Sequence, residues 1–394
     1  MINKKSTLVN LIISTALNLS LFPGCSPDFT VPISPSSNVL FVATTDSVDS
    51  ASYSTIDLYT KKSYNDIGSS RVHTDIAVRY FQEKVFIINR MGRDNIQILD
   101  PRGNYEIISE ISLRKNKYNY PNPSDVALIN NYMYVSLYNE KYIAVIDINN
   151  NKTVKSIDIS GFGYNGSFPC AASMYYYEKK GLLFVTLQRL DTTDWTPKSY
   201  GMIIAIDTAV NEIVQKIPLV GVDGENYMNP YSLMRFISGK NYNGSSDDYL
   251  FVSCVGKFNI VNSNKHYDGG IIKLSISDDS ITVDGVVVRE SSMESDITDF
   301  VVLSESEFYM TTIDEKGNTR FVFINPDQPD SKFVILMNGN KNGYLWRIES
   351  YKDDIYICDK NIENPGIRIF NTGSRTLSDA VYTGLPPEDL VVVE

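Results

Sequence analysis

Histidine is nearly absent from this chain, which has only His73 and His266 among its 394 residues. Copper centres built on many imidazole ligands are therefore excluded, and a three-ligand zinc site would have to recruit Asp, Glu or Cys. The chain also lacks a GxSxG nucleophile elbow, a P-loop and a GxGxxG motif that opens a helix. We accordingly predict no catalytic residue, no metal and no cofactor, and we expect both histidines at the surface or rim of the fold.

Basic clusters are missing as well. The formal net charge is −11 at pH 7, and no run of Lys or Arg occurs. Binding to a nucleic-acid backbone requires a concentrated positive surface, so nucleic acid is not expected as a partner. The acidic balance is typical of a soluble surface, and we expect a monomer.

Cysteine is scarce, with four residues in the chain. Cys170, Cys254 and Cys358 do not have the spacing of metal ligands. Two of them lie in apparent strands, so buried free thiols are one interpretation and a single disulfide among the three is the other.

The N-terminal segment has the composition of an export signal. Residues 8–22 form an apolar run that follows two lysines, and it is too short and too polar to span a bilayer stably. We therefore predict a signal peptide over residues 1–24. The run ends in Phe22-Pro23-Gly24-Cys25, which resembles a bacterial lipobox. That resemblance implies cleavage before Cys25, a lipid on its thiol, and a short tether over residues 25–37. The expected location is the outer membrane or the cell surface, and secretion with a free Cys25 is the alternative.

What the chain has in abundance is a repeated unit rich in Tyr, Val and Ile, residue types that favour strands. Its clearest copy contains four short strands at residues 123–128, 132–137, 142–147 and 153–157. The second and third strands recur seven times. The third strand ends near positions 57, 100, 147, 207, 274, 325 and 371. This spacing of roughly 43 to 67 residues is that of four-stranded propeller blades.

The strands also predict how the units assemble. Each predicted sheet is apolar on both faces, and stacking around an axis buries both faces while leaving only short edges. We therefore predict an all-β, seven-bladed β-propeller of antiparallel four-stranded blades over residues 38–394. Residues 39–43 would be a second strand without a first, and residues 384–393 a first strand without successors. Their pairing would close the ring, and no second domain is expected.

The clearest copy also resembles a known family. Its segments Tyr134-Val135-Ser136-Leu137 and 143–147 (Ile-Ala-Val-Ile-Asp) are similar to the strands of YVTN/YncE-like β-propellers, within the WD40-like repeat superfamily. The resemblance covers residues 38 to 394 and implies an exported binding protein of the periplasm or cell envelope. Some lipoproteins of this type resemble corrin-capturing partners of outer-membrane transporters. Because the repeat is structural, it predicts the fold and leaves the ligand open.

Four acids are candidates for a metal site in the central channel, as in lactonase-type propellers. They lie near the starts of the channel-lining first strands: Asp75, Asp125, Asp296 and Asp299. Converging carboxylates would support a metal-dependent hydrolase or lactonase. We favour the other interpretation, in which these side chains accept hydrogen bonds from backbone donors at the strand starts.

Aromatic and arginine side chains are concentrated in the loops that would share one rim of the propeller. The candidate ligand-binding residues are Arg90, Arg93, Tyr118, Tyr120, Tyr138, Tyr164, Arg189, Trp195, Tyr227, Tyr267, Tyr344 and Trp346. These residue types dominate binding hot spots, and long loops such as 189–200 and 256–269 are commonly functional. We therefore predict non-catalytic binding of a protein, glycan or small ligand, with a purely structural envelope protein as a further alternative.

Overall fold

The computed structural model describes residues 38–68, 72–222, 224–258, 266–328, 332–340 and 342–394. Seven antiparallel sheets of four or five strands follow one another through these residues and form the blades of a β-propeller. The predicted all-β, seven-bladed fold is confirmed. The predicted signal peptide, Cys25 and the tether lie outside the described residues. Within the described ranges, no helix is long and apolar enough to cross a bilayer.

Blades I to IV occupy the first half of the chain. Blade I holds β1 (Val39–Thr45), β2 (Ala51–Asp57), β3 (Ser63–Ile67) and, as its inner strand, β31 (Pro387–Val393). Blade II holds β4 (Ile76–Phe81), β5 (Lys84–Asn89), β6 (Asn95–Asp100) and β7 (Glu106–Ser112). Blade III holds β8 (Pro123–Ile129), β9 (Tyr132–Leu137), β10 (Tyr142–Asp147) and β11 (Lys152–Asp158). Blade IV holds β12 (Ala171–Tyr177), β13 (Leu182–Leu187), β16 (Met202–Asp207) and β17 (Glu212–Pro218), with a small hairpin of β14 (Leu190–Asp191) and β15 (Thr196–Pro197) between β13 and β16.

Blades V to VII complete the ring. Blade V holds β18 (Arg235–Ile237), β19 (Asp248–Cys254), β20 (Gly270–Ile276) and β21 (Ile281–Arg289). Blade VI holds β22 (Asp296–Ser304), β23 (Glu307–Ile313), β24 (Thr319–Ile324) and β25 (Val334–Asn338). Blade VII holds β26 (Leu345–Tyr351), β27 (Asp354–Asp359), β28 (Gly366–Asn371), β29 (Thr376–Leu377) and β30 (Val381–Tyr382). The described helices are short: the α-helix α1 (Gly239–Tyr242) and single 3₁₀ turns at Ser160–Phe162, Tyr164–Gly166, Glu178–Lys180 and Glu290–Ser292.

The two ends of the described chain close the ring as predicted. β31 pairs antiparallel with β1, so that Val39 lies opposite Val393 and Val42 opposite Leu390. β1 is buried along its whole length. The pairing therefore supplies the inner strand that blade I lacks and covers the inner edge of β1.

The core lies between neighbouring blades. Tyr134 and Val145 of blade III pack against Val185 and Ile204 of blade IV, and all four side chains are buried. The outermost strands are different, because β7 and β17 alternate between exposed and half-buried residues. Both faces of the inner three strands are thus buried, while the outer edge remains polar.

Cysteine does not link the blades covalently. Cys170, Cys254 and Cys358 are buried free thiols, so the interpretation with a disulfide is wrong. Burial raises the pKa of the Cys170 thiol to about 11 and holds that of Cys254 well above its ordinary value. The three side chains act as small apolar groups of the core.

Five of the seven inner strands carry an irregularity near their first residues. The strand register shifts between Pro123 and Asp125, Ala171 and Met174, Ile297 and Asp299, Leu345 and Ile348, and Pro387 and Asp389. A β-bulge of this kind interrupts the normal alternation, so that consecutive side chains can face the same side. The pairs Trp346–Arg347 and Glu388–Asp389 accordingly both line the mouth of the channel.

Candidate functional site

A cavity of about 280 Å³ lies at one mouth of the central channel. Its floor comes from the starts of inner strands, and its wall comes from the loops that connect strands two and three or neighbouring blades. The residues that line it are Asp75, Ile76, Ala77, Arg79, Arg90, Asn122, Ser124, Asp125, Tyr138, Ala172, Ser173, Gln188, Tyr231, Ser232, Leu233, Trp346, Arg347, Glu388 and Asp389. Five blades and both kinds of loop therefore contribute to one concave site, which is the usual form of a small-molecule site.

Three buried aspartates at equivalent positions of the inner strands join neighbouring blades. Asp125 accepts hydrogen bonds from its own neighbour, Val126 N (2.9 Å), and from Met174 N on the next blade (2.8 Å). The same pattern recurs at Asp299, with Phe300 N and Ile348 N, and at Asp389, with Leu390 N and Val78 N. These carboxylates therefore satisfy backbone donors at the strand starts, as we inferred for Asp125 and Asp299.

Arginines engage the remaining acceptor capacity of the same acids. Arg79 donates to Asp125 Oδ1 (2.7 Å) and to Asp389 Oδ2 (3.0 Å), and its side chain is 14% exposed. Burial opposes the charge on Arg79, but the two carboxylates outweigh it, and the pKa of this guanidinium lies above its ordinary value. Arg235 of blade V contacts Asp299 (3.4 Å) and crosses to Glu349 of blade VII (2.8 Å). The channel is thus bridged by ion pairs at two places.

The acids nearer the cavity mouth are also matched by cations. Arg90 Nε donates to Asp75 Oδ1 (2.7 Å), and Lys360 pairs with Glu388. Asp75 therefore binds an arginine rather than the backbone donors that we expected for it. Asp296 is buried beside Glu290 and does not line the cavity. In the part of the chain that the structure describes, no three His, Cys, Asp or Glu side chains are grouped as a metal site.

Hydrogen-bond donors in the cavity are left without protein acceptors. Nη1 of Arg347 is buried and has no partner, and its guanidinium lies 6.0 Å from the Tyr231 ring. The amide of Gln188 accepts a hydrogen bond from the Tyr138 hydroxyl through Oε1, which leaves its Nε2 hydrogens unused. Asn122 is in the same situation, because its Oδ1 accepts from Met91 N. Among the described residues, the indole of Trp346 also makes no hydrogen bond.

Three of the twelve predicted rim residues meet at this cavity: Arg90, Tyr138 and Trp346. Trp195 lies beside them, because its ring stacks on Tyr138 with centroids 6.0 Å apart and planes 16° from parallel. Trp195 is 51% exposed, so one aromatic face of the rim is open to solvent.

Other predicted residues have different roles. Tyr227 is 4% exposed and packs in the core cluster of blades IV and V, rather than standing on the open rim as predicted. Arg189 donates to Phe162 O (2.8 Å) and Tyr200 O (2.9 Å), and it therefore holds its own loop. Tyr344 lines a separate groove of about 800 Å³ between blades VI, VII and I. The remaining predicted residues line neither cavity: Arg93, Tyr118, Tyr120, Tyr164 and Tyr267.

The residues that the sequence did not reveal are on strands or next to them. Arg79 and Arg347 lie on inner strands rather than in the rim loops where binding residues were expected, and Gln188 and Tyr231 lie near the predicted residues Arg189 and Tyr227. A charged residue inside an apolar first strand, as in Val78-Arg79-Tyr80, was the available signal. Such a residue is rarely buried unless it is paired.

The comparisons with known proteins agree on the architecture. No family model matches the chain, and no curated protein matches its sequence. A candidate 6-phosphogluconolactonase from Bacteroides uniformis is similar over 91% of this chain and 99% of its own, with a TM-score of 0.60 and 10% identity. A second candidate 6-phosphogluconolactonase, from Bacteroides fragilis, is similar over 91% of this chain and 98% of its own, with a TM-score of 0.58 and 10% identity. A protein of unknown function from Desulfotomaculum acetoxidans is similar over 91% of this chain and 99% of its own, with a TM-score of 0.56 and 12% identity.

These identities are low, and the likeness concerns the fold alone. Together with the seven sheets described above, it places the chain among the seven-bladed β-propellers.

Proposed function

We propose that this protein is a YncE-like, lipid-anchored binding protein of the bacterial cell envelope, which holds a small ligand at the mouth of its propeller channel and catalyses no reaction. The predicted export signal and the lipobox-like sequence at Cys25 support the location, and the strand repeat supports the kinship. The cavity of about 280 Å³, with polar groups converging from five blades, supports a small ligand.

One observation carries the binding role: the acids of the cavity are engaged, while several donors are open. A general base or a nucleophilic carboxylate needs a free lone pair that points at the substrate. Asp125 and Asp389 instead accept hydrogen bonds from the backbone and from Arg79, and Asp75 accepts from Arg90. Neither histidine lines the cavity. The side chains that remain available include several donors suited to recognition.

A metal-dependent hydrolase or lactonase is the second candidate, and the fold shared with the candidate 6-phosphogluconolactonases favours it. In this chain a divalent ion at the channel acids would have to displace Arg79 or Arg235 from Asp125, Asp389 or Asp299. A surface partner of a transporter that captures corrin-type ligands is a third candidate. A corrin macrocycle would be too large for the cavity of about 280 Å³ and would have to rest on the rim, near Trp195.

Native mass spectrometry of the full chain, purified from its own membrane and combined with elemental analysis, tests the proposal. We expect a monomer with a small organic molecule bound and no stoichiometric divalent ion. A Ser124→Phe variant fills the cavity and should lose the molecule, whereas Ser280→Phe, at an exposed turn of the opposite face, should retain it. A stoichiometric metal, or a ligand that Ser124→Phe retains, would contradict the proposed site.

A further inference from the structure

The charged side chains of the cavity are not all matched with partners. Arg79 is paired with two aspartates, Arg90 with Asp75, and Glu388 with Lys360. Among the described residues of this cavity, Arg347 is the charged side chain that makes no hydrogen bond and no ion pair. Burial opposes the charge on Arg347, and the nearby carboxylates of Asp299, Asp389 and Glu388 raise its pKa, but none of them accepts a hydrogen bond from it, so a direct anionic acceptor is missing.

The position of Arg347 is determined by the bulge at the start of β26. The register shifts between Leu345 and Ile348, and both Trp346 and Arg347 consequently face the channel mouth. Asp299 is the carboxylate that does most to raise the pKa of Arg347, but it accepts from Phe300 N, Ile348 N and Arg235. Leaving the buried Nη1 of this guanidinium without a partner is costly, because buried polar groups are normally hydrogen-bonded.

We propose that the ligand of this cavity is a small organic oxyanion, a carboxylate or a phosphate monoester, whose anionic group binds the guanidinium of Arg347. The inference rests on the proposed function, because it specifies the ligand of the same site. The planar fork of arginine matches two oxygens of either group, and such charge-assisted hydrogen bonds are stronger than neutral ones.

The other open donors indicate what else the ligand contains. Gln188 Nε2, Asn122 Nδ2 and the Trp346 indole N–H line the same cavity and lack acceptors. They come from three different blades or loops, so that a ligand with several acceptor oxygens would engage more of them than a single oxyanion group. The ligand therefore carries further acceptor oxygens, such as the hydroxyls of a sugar acid or a sugar phosphate.

Calorimetric titration of the full chain with matched probes tests this inference. D-gluconate and D-glucose 6-phosphate are the anionic probes, D-glucose is their neutral counterpart, and inorganic phosphate tests the anion alone. We expect at least one organic anion to bind and glucose to bind at least tenfold more weakly. Arg347→Gln should weaken the anion about tenfold or more, Arg347→Lys less, and Arg102→Gln, on the opposite face, not at all.

The outcomes separate the two proposals. Equal binding of glucose and gluconate, or an anion affinity unchanged in Arg347→Gln, would overturn the oxyanion while leaving the cavity as a binding site. Binding of inorganic phosphate alone would refute the additional acceptor oxygens and with them the organic ligand. If none of the probes binds to the cavity and the natively purified protein carries no molecule there, the binding function fails together with the inference.

Discussion

Asp389 offers a direct test of how the propeller is held at its channel. This residue lies on the last strand, β31, and its side chain is 7% exposed. Its carboxylate accepts from Leu390 N and from Val78 N of blade II, both at 3.0 Å, and from Arg79 at 3.0 Å. Asp389→Ala removes all three contacts without touching the apolar core.

The expected cost follows from what is left behind. Val78 N would lose its acceptor at a buried site, which costs about 1–3 kcal/mol. Arg79 would keep Asp125 but lose one of its two charged partners, and a hydrogen bond between charged groups contributes about 1.5–3 kcal/mol. We therefore expect Asp389→Ala to lower the free energy of unfolding by about 3–5 kcal/mol, a large share of the stability of most domains.

Chemical denaturation followed by tyrosine fluorescence measures this loss. Asp46→Ala is the matched control, because Asp46 also accepts three backbone N–H groups, from Val48, Asp49 and Ser50, but in an exposed turn. Water replaces the carboxylate there, so the control should cost about 1 kcal/mol or less. If the two variants lose the same stability, the cross-blade contacts of Asp389 do not hold the ring, and the reasoning fails.

Three further predictions concern other parts of the fold. Burial and the neighbouring Asp296 hold the pKa of Glu290 well above its ordinary value. The favourable contribution of Glu290 to folding stability is therefore complete at low pH and is lost as the pH rises through the raised pKa. The stability of Glu290→Gln relative to the parent should therefore increase between pH 4.5 and pH 8 in thermal melts, and a difference independent of pH would be inconsistent with this. In a Cys25→Ser chain at pH 8, about one Cys170 thiol in a thousand would be ionised. Thiol titration should therefore detect the three buried cysteines only after unfolding, and rapid labelling of the native protein would count against their burial. Deleting residues 387–394 removes β31, which is the inner strand of blade I, and with it the burial of Leu390. We expect the shortened protein to show no cooperative melting transition by circular dichroism. A normal transition would show that ring closure is dispensable.

The architecture was accessible from the sequence because it depends on patterns that repeat. The observed third strands end at Asp57, Asp100, Asp147, Asp207 and Asn371, as the repeat predicted, and within two residues of the expected positions in blades V and VI. Closure by β1 and β31 followed from counting strands at each end. Each of these features is local or periodic, and hydrophobic patterning reports both.

The site was less accessible because it depends on departures from those patterns. Simple alternation along β26 would place Trp346 and Arg347 on opposite faces, and only the bulge brings both to the cavity. The contact between Arg235 and Glu349 joins blades V and VII across the channel, and no spacing in the sequence predicts such a pair. Tyr227 shows the converse, since a tyrosine in a rim loop turned out to pack in the core.

The antiparallel pairing of β1 with β31 also sets the direction in which the cavity opens. Val39 lies beside Val393, at the end of β31 remote from Glu388 and Asp389, so the described chain starts and finishes on the face opposite the cavity. A partner or support attached at these two ends would therefore leave the cavity exposed to solvent.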